Sequence, residues 1–228
     1  MYTLHIANKN YSSWSLRPWL LMRALDIPIA EVIHPFSDDG NHEAFRAFSP
    51  NAKVPCLVDE ARVVRDSLAI TEYLAEAHPG VWPEDKSQRS WARCASAEMH
   101  SGFNALRDEC SMTCGQRIQL HKVSPGLEQD LTRLDELWCE GLALFGGPFL
   151  AGPEFTAVDA FFAPVVFRIE SYHLPLSGRA GTYQQAMMQQ PAMRDWYEAA
   201  LQETWREASH EDEIASCGSI IADHRVQV

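Results

Sequence analysis

The chain of 228 residues can supply two modest hydrophobic cores, and at 46% hydrophobic and 22% charged it has the composition of an ordinary globular protein. A formal net charge of −12, with no local basic cluster to offset it, argues against nucleic acid or an anionic membrane surface as a partner. The most apolar run, FFAPVVF at 161–167, is too short to cross a bilayer and contains a proline. The opening MYTLHIANKN lacks the basic start and apolar core of a secretion signal, so a cytoplasmic protein is expected.

In chain order, YTLHIA (2–7) reads as a strand, LRPWLLMRAL (16–25) as a helix, and AEVIHPF (30–36) as a second strand after the Asp26-Ile27-Pro28 break. A polar loop with room for a short helix follows. VPCLVDE (54–60) and ARVVRD (61–66) then make a hairpin, and SLAITEYLAEA (67–77) a helix with Ile70, Tyr73, Leu74 and Ala77 on one face. A strand-helix-strand unit pairs its strands in parallel with a right-handed crossover, and the hairpin adds antiparallel strands, which predicts a small mixed sheet covered by helices. Proline, glycine and charge then mark a boundary, giving domains over residues 1–78 and 88–228 with a linker at 79–87.

Beyond Gln88 the strand signals stop. SWARCASAEMHSGFNALRDECSMTCGQRIQL reads as a long helical stretch with a kink at Gly102, and PGLEQDLTRLDELWCEGLALF as a helix with Pro125 near its start. Thr156 and Asp159 have the spacing of a capping box, and further helices are expected over 181–189 and 191–203. The second domain is therefore expected to be all helical, with a tail, SHEDEIASCGSIIADHRVQV, of no clear period. Six cysteines without a C-x-x-C pair suit free thiols, and no histidine lies beside Cys110 and Cys114 at a zinc-like interval, so no metal is expected.

Chemistry concentrates in NKNYSSWSLRPW (8–19), where three serines crowd the start of a helix. Serine is a preferred helix cap, and a hydroxyl beside unpaired backbone N–H groups can also stabilise an anion, including a thiolate. Three more features stand in register with this one: Val54-Pro55 before a strand, Asp66-Ser67 before a helix, and Thr156 to Asp159. With this element order, the set resembles the cytosolic glutathione transferases of the serine type, over nearly the whole chain.

The resemblance implies a thioredoxin-like N-terminal domain that binds glutathione, followed by a helical C-terminal domain. It implies a cis Val54–Pro55 bond that presents the Val54 backbone to the tripeptide. Asp66 and Ser67 would hold the γ-glutamyl end, and Lys53 and His42 the glycyl carboxylate. Ser12, with Ser13 as a neighbour that substitutes or assists, would donate a hydrogen bond to the glutathione sulfur; Tyr11 is a rival donor. A thiol of pKa about 8.5 is mostly protonated at neutral pH, and lowering it by about two units needs roughly 2.7 kcal/mol of selective stabilisation. One charge-assisted hydrogen bond together with the positive end of the helix can supply that much.

A small apolar electrophile would then occupy a pocket lined by Trp14 and by residues near His100, Phe103, Asn104 and Arg107. Arg17 would position the segment through a carboxylate. Members of the family form homodimers, which is the expectation here. SSWSLR is also similar to the zeta branch, whose members isomerise maleylacetoacetate, although the third position there is cysteine and here is Trp14. A thiol-disulfide reductase is disfavoured because no cysteine lies near position 12, and a non-catalytic binding module remains the alternative from another class.

Overall fold

The computed structural model describes residues 1–227. The N-terminal half runs β1 (Tyr2–Ile6), α1 (Ser13–Ala24), β2 (Ile29–Ile33), α2 (His42–Arg46), β3 (Cys56–Asp59), β4 (Arg62–Arg65) and α3 (Ser67–Ala75). β1 pairs in parallel with β2, and Leu4 lies opposite Glu31. β3 joins antiparallel to β1 and β4 antiparallel to β3, so the strand order is β2-β1-β3-β4. This is the mixed sheet expected from the sequence, in a thioredoxin-like arrangement.

The helical domain comprises α4 (Lys86–Ser101), α5 (Asn104–Glu109), α6 (Pro125–Phe145), α7 (Ala157–Tyr172), α8 (Gly178–Gln189), α9 (Pro191–Gln202) and α10 (Ala208–Cys217). α7 is buried over nearly its whole length and lies against α1, which is how the two halves share one core. Trp19 of α1 meets Trp196 of α9 edge to face, with ring centroids 5.0 Å apart. Such a pair adds about 0.5–1.5 kcal/mol to the burial of both rings.

Two features depart from the sequence reading. The long helical stretch breaks at Gly102–Phe103, where Phe103 takes a left-handed backbone (φ 56°), and ends at Glu109. Cys110 and Cys114 therefore lie beyond the helix and share no helix face; both are buried in the connection that follows. QRIQL is then a strand, β5 (Gln116–Leu120), paired antiparallel with β6 (Gly218–Asp223) from the tail. The domain is helical as expected, with this two-stranded ribbon added, and the tail contributes α10 and β6 to it. No helix among the described residues is long and apolar enough to cross a membrane.

Asp159 ties the start of α7 to its surroundings. Its carboxylate accepts from the Leu150 and Thr156 N–H groups, each at 3.0 Å, and from the Tyr183 hydroxyl at 3.1 Å. Burial lifts its carboxyl to about 6, against the opposing pull of these hydrogen bonds. The native state thus keeps a proton that the unfolded chain releases near its ordinary value of about 3.9, so this group's contribution to stability falls as pH rises from about 4 to about 6. Asp159→Ala should cost about 2–5 kcal/mol by leaving two buried amides and a phenol without an acceptor, measured by urea denaturation at pH 7.

Candidate active site

Ser12 caps α1, yet its hydroxyl makes no capping hydrogen bond. It donates instead to Ser15 Oγ at 2.7 Å, and Ser15 Oγ accepts from the Ala7 N–H at 3.2 Å. Hydroxyl hydrogens rotate, so the pair can reverse: Ser15 donates to Ser12, which frees the Ser12 proton for a ligand. Ser15 is fully buried; the sequence reading counted it among the three serines at the helix start and gave it no catalytic part. The only signal for it was its three-residue spacing from Ser12. Ser13 opens the helix, buried, with its N–H on the Tyr11 carbonyl at 2.9 Å.

The rival donor is otherwise engaged. Tyr11 donates its phenol proton to Glu211 of α10 and accepts from Arg225 at 3.2 Å. Burial and the Glu211 carboxylate push its ionisation well above the usual range. The whole loop before Ser12 is held in this way. The Glu203 carboxylate takes the N–H groups of Lys9 at 2.6 Å and Asn10 at 3.1 Å, and Asn10 Oδ1 takes those of Cys114 and Gly115. A side chain at Gly115 would collide with Arg225, which is why this crossing needs glycine.

Val54–Pro55 is cis. Val54 makes no hydrogen bond to any described residue, so its backbone polar groups are open to a ligand. Asp66 caps α3 by accepting from the Leu68 N–H at 2.8 Å, with its own φ at +77°, a region costly for a residue with a side chain. Ser67 Oγ is buried without any hydrogen-bond partner. Trp14, Asn51, Lys53, Val54, Pro55, Asp66 and Ser67 surround a groove of about 210 Å³. Trp14, Lys53 and Val54 also border a second cavity of about 520 Å³, into which Ser12, Ser13 and His42 face. Every residue predicted to hold glutathione or its sulfur thus borders one or both of two adjoining spaces, with His42 away from the Asp66–Ser67 end.

The far wall differs from the expectation. Phe103 and Asn104 do not line the cavity; Ser111, Met112 and Arg168 do, together with His210 and Glu213 of α10. His100 instead approaches Asp66, Nε2 to Oδ2 at 3.5 Å. Among the described residues Arg17 makes no salt bridge with a carboxylate. Its guanidinium is buried on the face of Trp14, 4.2 Å from the ring centroid, with Nε and Nη1 unbonded, and Arg107 lies 4.9 Å from the same ring. Desolvation, then Arg107 and Arg168, hold the Arg17 guanidinium well below its ordinary range. Among the described residues no cluster of histidine, cysteine and carboxylate side chains could hold a metal ion.

The glutathione S-transferase N-terminal domain model matches residues 11–77 and the C-terminal domain model residues 90–199. Together they span most of the chain, which belongs to the glutathione S-transferase family. The chain is 28% identical to a probable maleylacetoacetate isomerase of Caenorhabditis elegans over 174 residues, 72% of this chain and 77% of that one. It is also 28% identical to the maleylacetoacetate isomerase of Rattus norvegicus, over 72% of this chain and 76% of that one. In fold it is similar to a glutathione transferase homolog from Burkholderia solved with bound glutathione, with TM-score 0.63 and 18% identity over 87% of this chain and 97% of that one.

In the free protein the Ser67 hydroxyl is a buried polar group without a partner, and removing such a group is neutral or favourable. Ser67→Ala should therefore leave the Tm of the free protein unchanged or raised, measured by differential scanning calorimetry.

Proposed function

We propose that the protein binds glutathione along the groove between Val54 and the start of α3 and holds its sulfur, as thiolate, on the Ser12 hydroxyl for addition to a small apolar electrophile in the larger cavity. The observation that carries this reading is the junction of the two spaces: a groove with free backbone groups, a carboxylate and an orphaned hydroxyl opens, across Trp14, Lys53 and Val54, into the cavity that Ser12 faces. Asp66 pairs with the α-amino group of the tripeptide, Ser67 and the N-terminus of α3 receive its α-carboxylate, and Lys53, with His42 beyond it, meets the glycyl carboxylate. Ser15, by donating to Ser12, strengthens the hydrogen bond that Ser12 gives to sulfur. A hydroxyl donor favours thiolate over thiol, which lowers the pKa of the bound sulfur.

A second reading, glutathione-dependent cis–trans isomerisation of the kind named for the nematode and rat relatives, is favoured by Arg168. This guanidinium borders the cavity, forms no salt bridge to any described residue, and suits the carboxylates of a maleylacetoacetate-like substrate. Trp14, at the position of the zeta cysteine, stands against it.

Mixing protein with reduced glutathione should produce the ultraviolet absorbance of a thiolate. Ser12→Ala should abolish it, whereas Tyr11→Phe, whose hydroxyl is spent on Glu211, should retain it. An unchanged Ser12→Ala spectrum removes Ser12 from the role, and absence of glutathione binding at millimolar concentration would favour a binding module. Incubation with maleylacetoacetate separates the two catalytic readings: isomerisation returns the trans isomer with glutathione unconsumed, and transfer consumes glutathione stoichiometrically.

A further inference from the structure

α10 brings into the cavity a histidine that the reading above leaves idle. The imidazole of His210 is stacked between Tyr11 and Phe36, with ring centroids 4.9 and 5.0 Å away and planes within 20° and 21° of parallel. Its Nδ1 lies 2.6 Å from Glu207 Oε2, and that oxygen also accepts the His210 backbone N–H at 2.8 Å. An ionised carboxylate can only accept, so Nδ1 carries hydrogen and donates it. Two aromatic faces set the plane of the ring, and the carboxylate sets its rotation and tautomer. The remaining nitrogen, Nε2, makes no hydrogen bond to a described residue, and the ring borders the cavity that Ser12 and Ser13 face. Glu207 is the only carboxylate among the described residues within 4.0 Å of the imidazole; Glu213 and Arg168 lie elsewhere on the same cavity, and Glu211 is engaged by Tyr11 and Arg225.

We propose that His210 is a second catalytic residue, an acid that as the imidazolium, with hydrogen on both nitrogens, delivers the Nε2 proton to the electrophile as the glutathione sulfur adds to it, with Glu207 as its positioning residue. The proposal rests on the reading of the site given above and specifies the class of electrophile, one with a carbon–carbon double bond conjugated to a carbonyl. The sulfur lone pair forms the S–C bond at the β-carbon. The π pair moves toward the carbonyl, and the resulting enolate takes the Nε2 proton. The neutral ring recovers a proton from water, balancing the one the thiol released to solvent on binding. Displacement of halide from an activated aryl ring forms the same S–C bond, expels halide and needs no proton at carbon.

The two chemistries make the test. His210→Phe keeps a ring between Tyr11 and Phe36, and His210→Gln keeps a polar group; neither can carry the proton. With reduced glutathione, kcat/KM is measured for an α,β-unsaturated ketone and for a nitro-substituted aryl halide, and the thiolate absorbance reports an intact site. In both variants the ketone-to-halide ratio should fall about 100-fold, within the usual range for loss of general acid catalysis. Glu207→Gln, which leaves the ring in place without its anion, should give a smaller fall in the same direction. An unchanged ratio, whether both activities fall together or neither falls, overturns the proposal, as does loss of the thiolate signal in all three variants, since His210 would then be a packing group. A wild-type protein that uses the halide and not the ketone overturns it too, while leaving the thiolate reading standing. A wild-type protein that forms no thiolate removes both.

Discussion

The site depends on how the backbone from Asn8 to Ser12 is satisfied. These residues belong to no helix or strand and are buried; the Tyr11 and Ser12 amides turn back onto the Asn8 carbonyl, and those of Lys9 and Asn10 need an acceptor brought from elsewhere. Glu203 supplies the acceptors for Lys9 and Asn10, Asn10 repays the connection before β5 with its own side chain, and Trp196 Nε1 donates to the Lys9 carbonyl at 2.9 Å. A buried amide without a partner costs about 1–3 kcal/mol, and a carboxylate acceptor contributes more than a neutral one. The position of Ser12 is thus set by groups roughly a hundred or two hundred residues away in sequence.

Electrostatics in this corner run opposite to those of the molecule. The chain is acidic, yet Arg17, Arg107 and Arg168 are buried or largely buried near the candidate site, and none of them forms a salt bridge among the described residues. Arg107 and Arg168 lean on carbonyl oxygens of Met99, Gly102 and Cys110, while Arg17 has only the faces of Trp14 and Phe161. An aromatic face compensates a desolvated guanidinium by about 2 kcal/mol, far less than a carboxylate would. Asp66, Asp108, Asp130 and Glu213 act on these cations only from beyond salt-bridge distance, so an anion held near Ser12 meets guanidinium groups not already paired, in the same sense as the N-terminus of α1.

The sheet and the flanking helices were legible because their signals are local. Alternation over 2–6 and 56–65 and the 3.6-residue period over 67–75 are properties of the segments themselves. Asp66, Ser67 and the Val54–Pro55 pair were recognised as members of a pattern; the ordinary physics of capping would have accounted for the first two without a ligand. What escaped was non-local. β5 is a strand because β6 pairs with it from about a hundred residues away, and QRIQL by itself continues the preceding helical pattern. Arg17 and His210 owe part of their surroundings to the same kind of distant contact, Phe161 for the one and Tyr11 and Phe36 for the other. Phe103 escaped for another reason, since a left-handed phenylalanine has no sequence signal comparable to glycine.

The bonds from Lys9 and Asn10 to Glu203 also impose an order on assembly. During synthesis the βαβ-ββα half leaves the ribosome well before α10 and β6 exist, and it can form its sheet from contacts within itself. The loop before Ser12 gains the acceptor for its Lys9 and Asn10 amides only when Glu203 has emerged, so a shorter nascent chain lacks that support. Completion of the candidate site is thereby deferred until the chain has grown past α9.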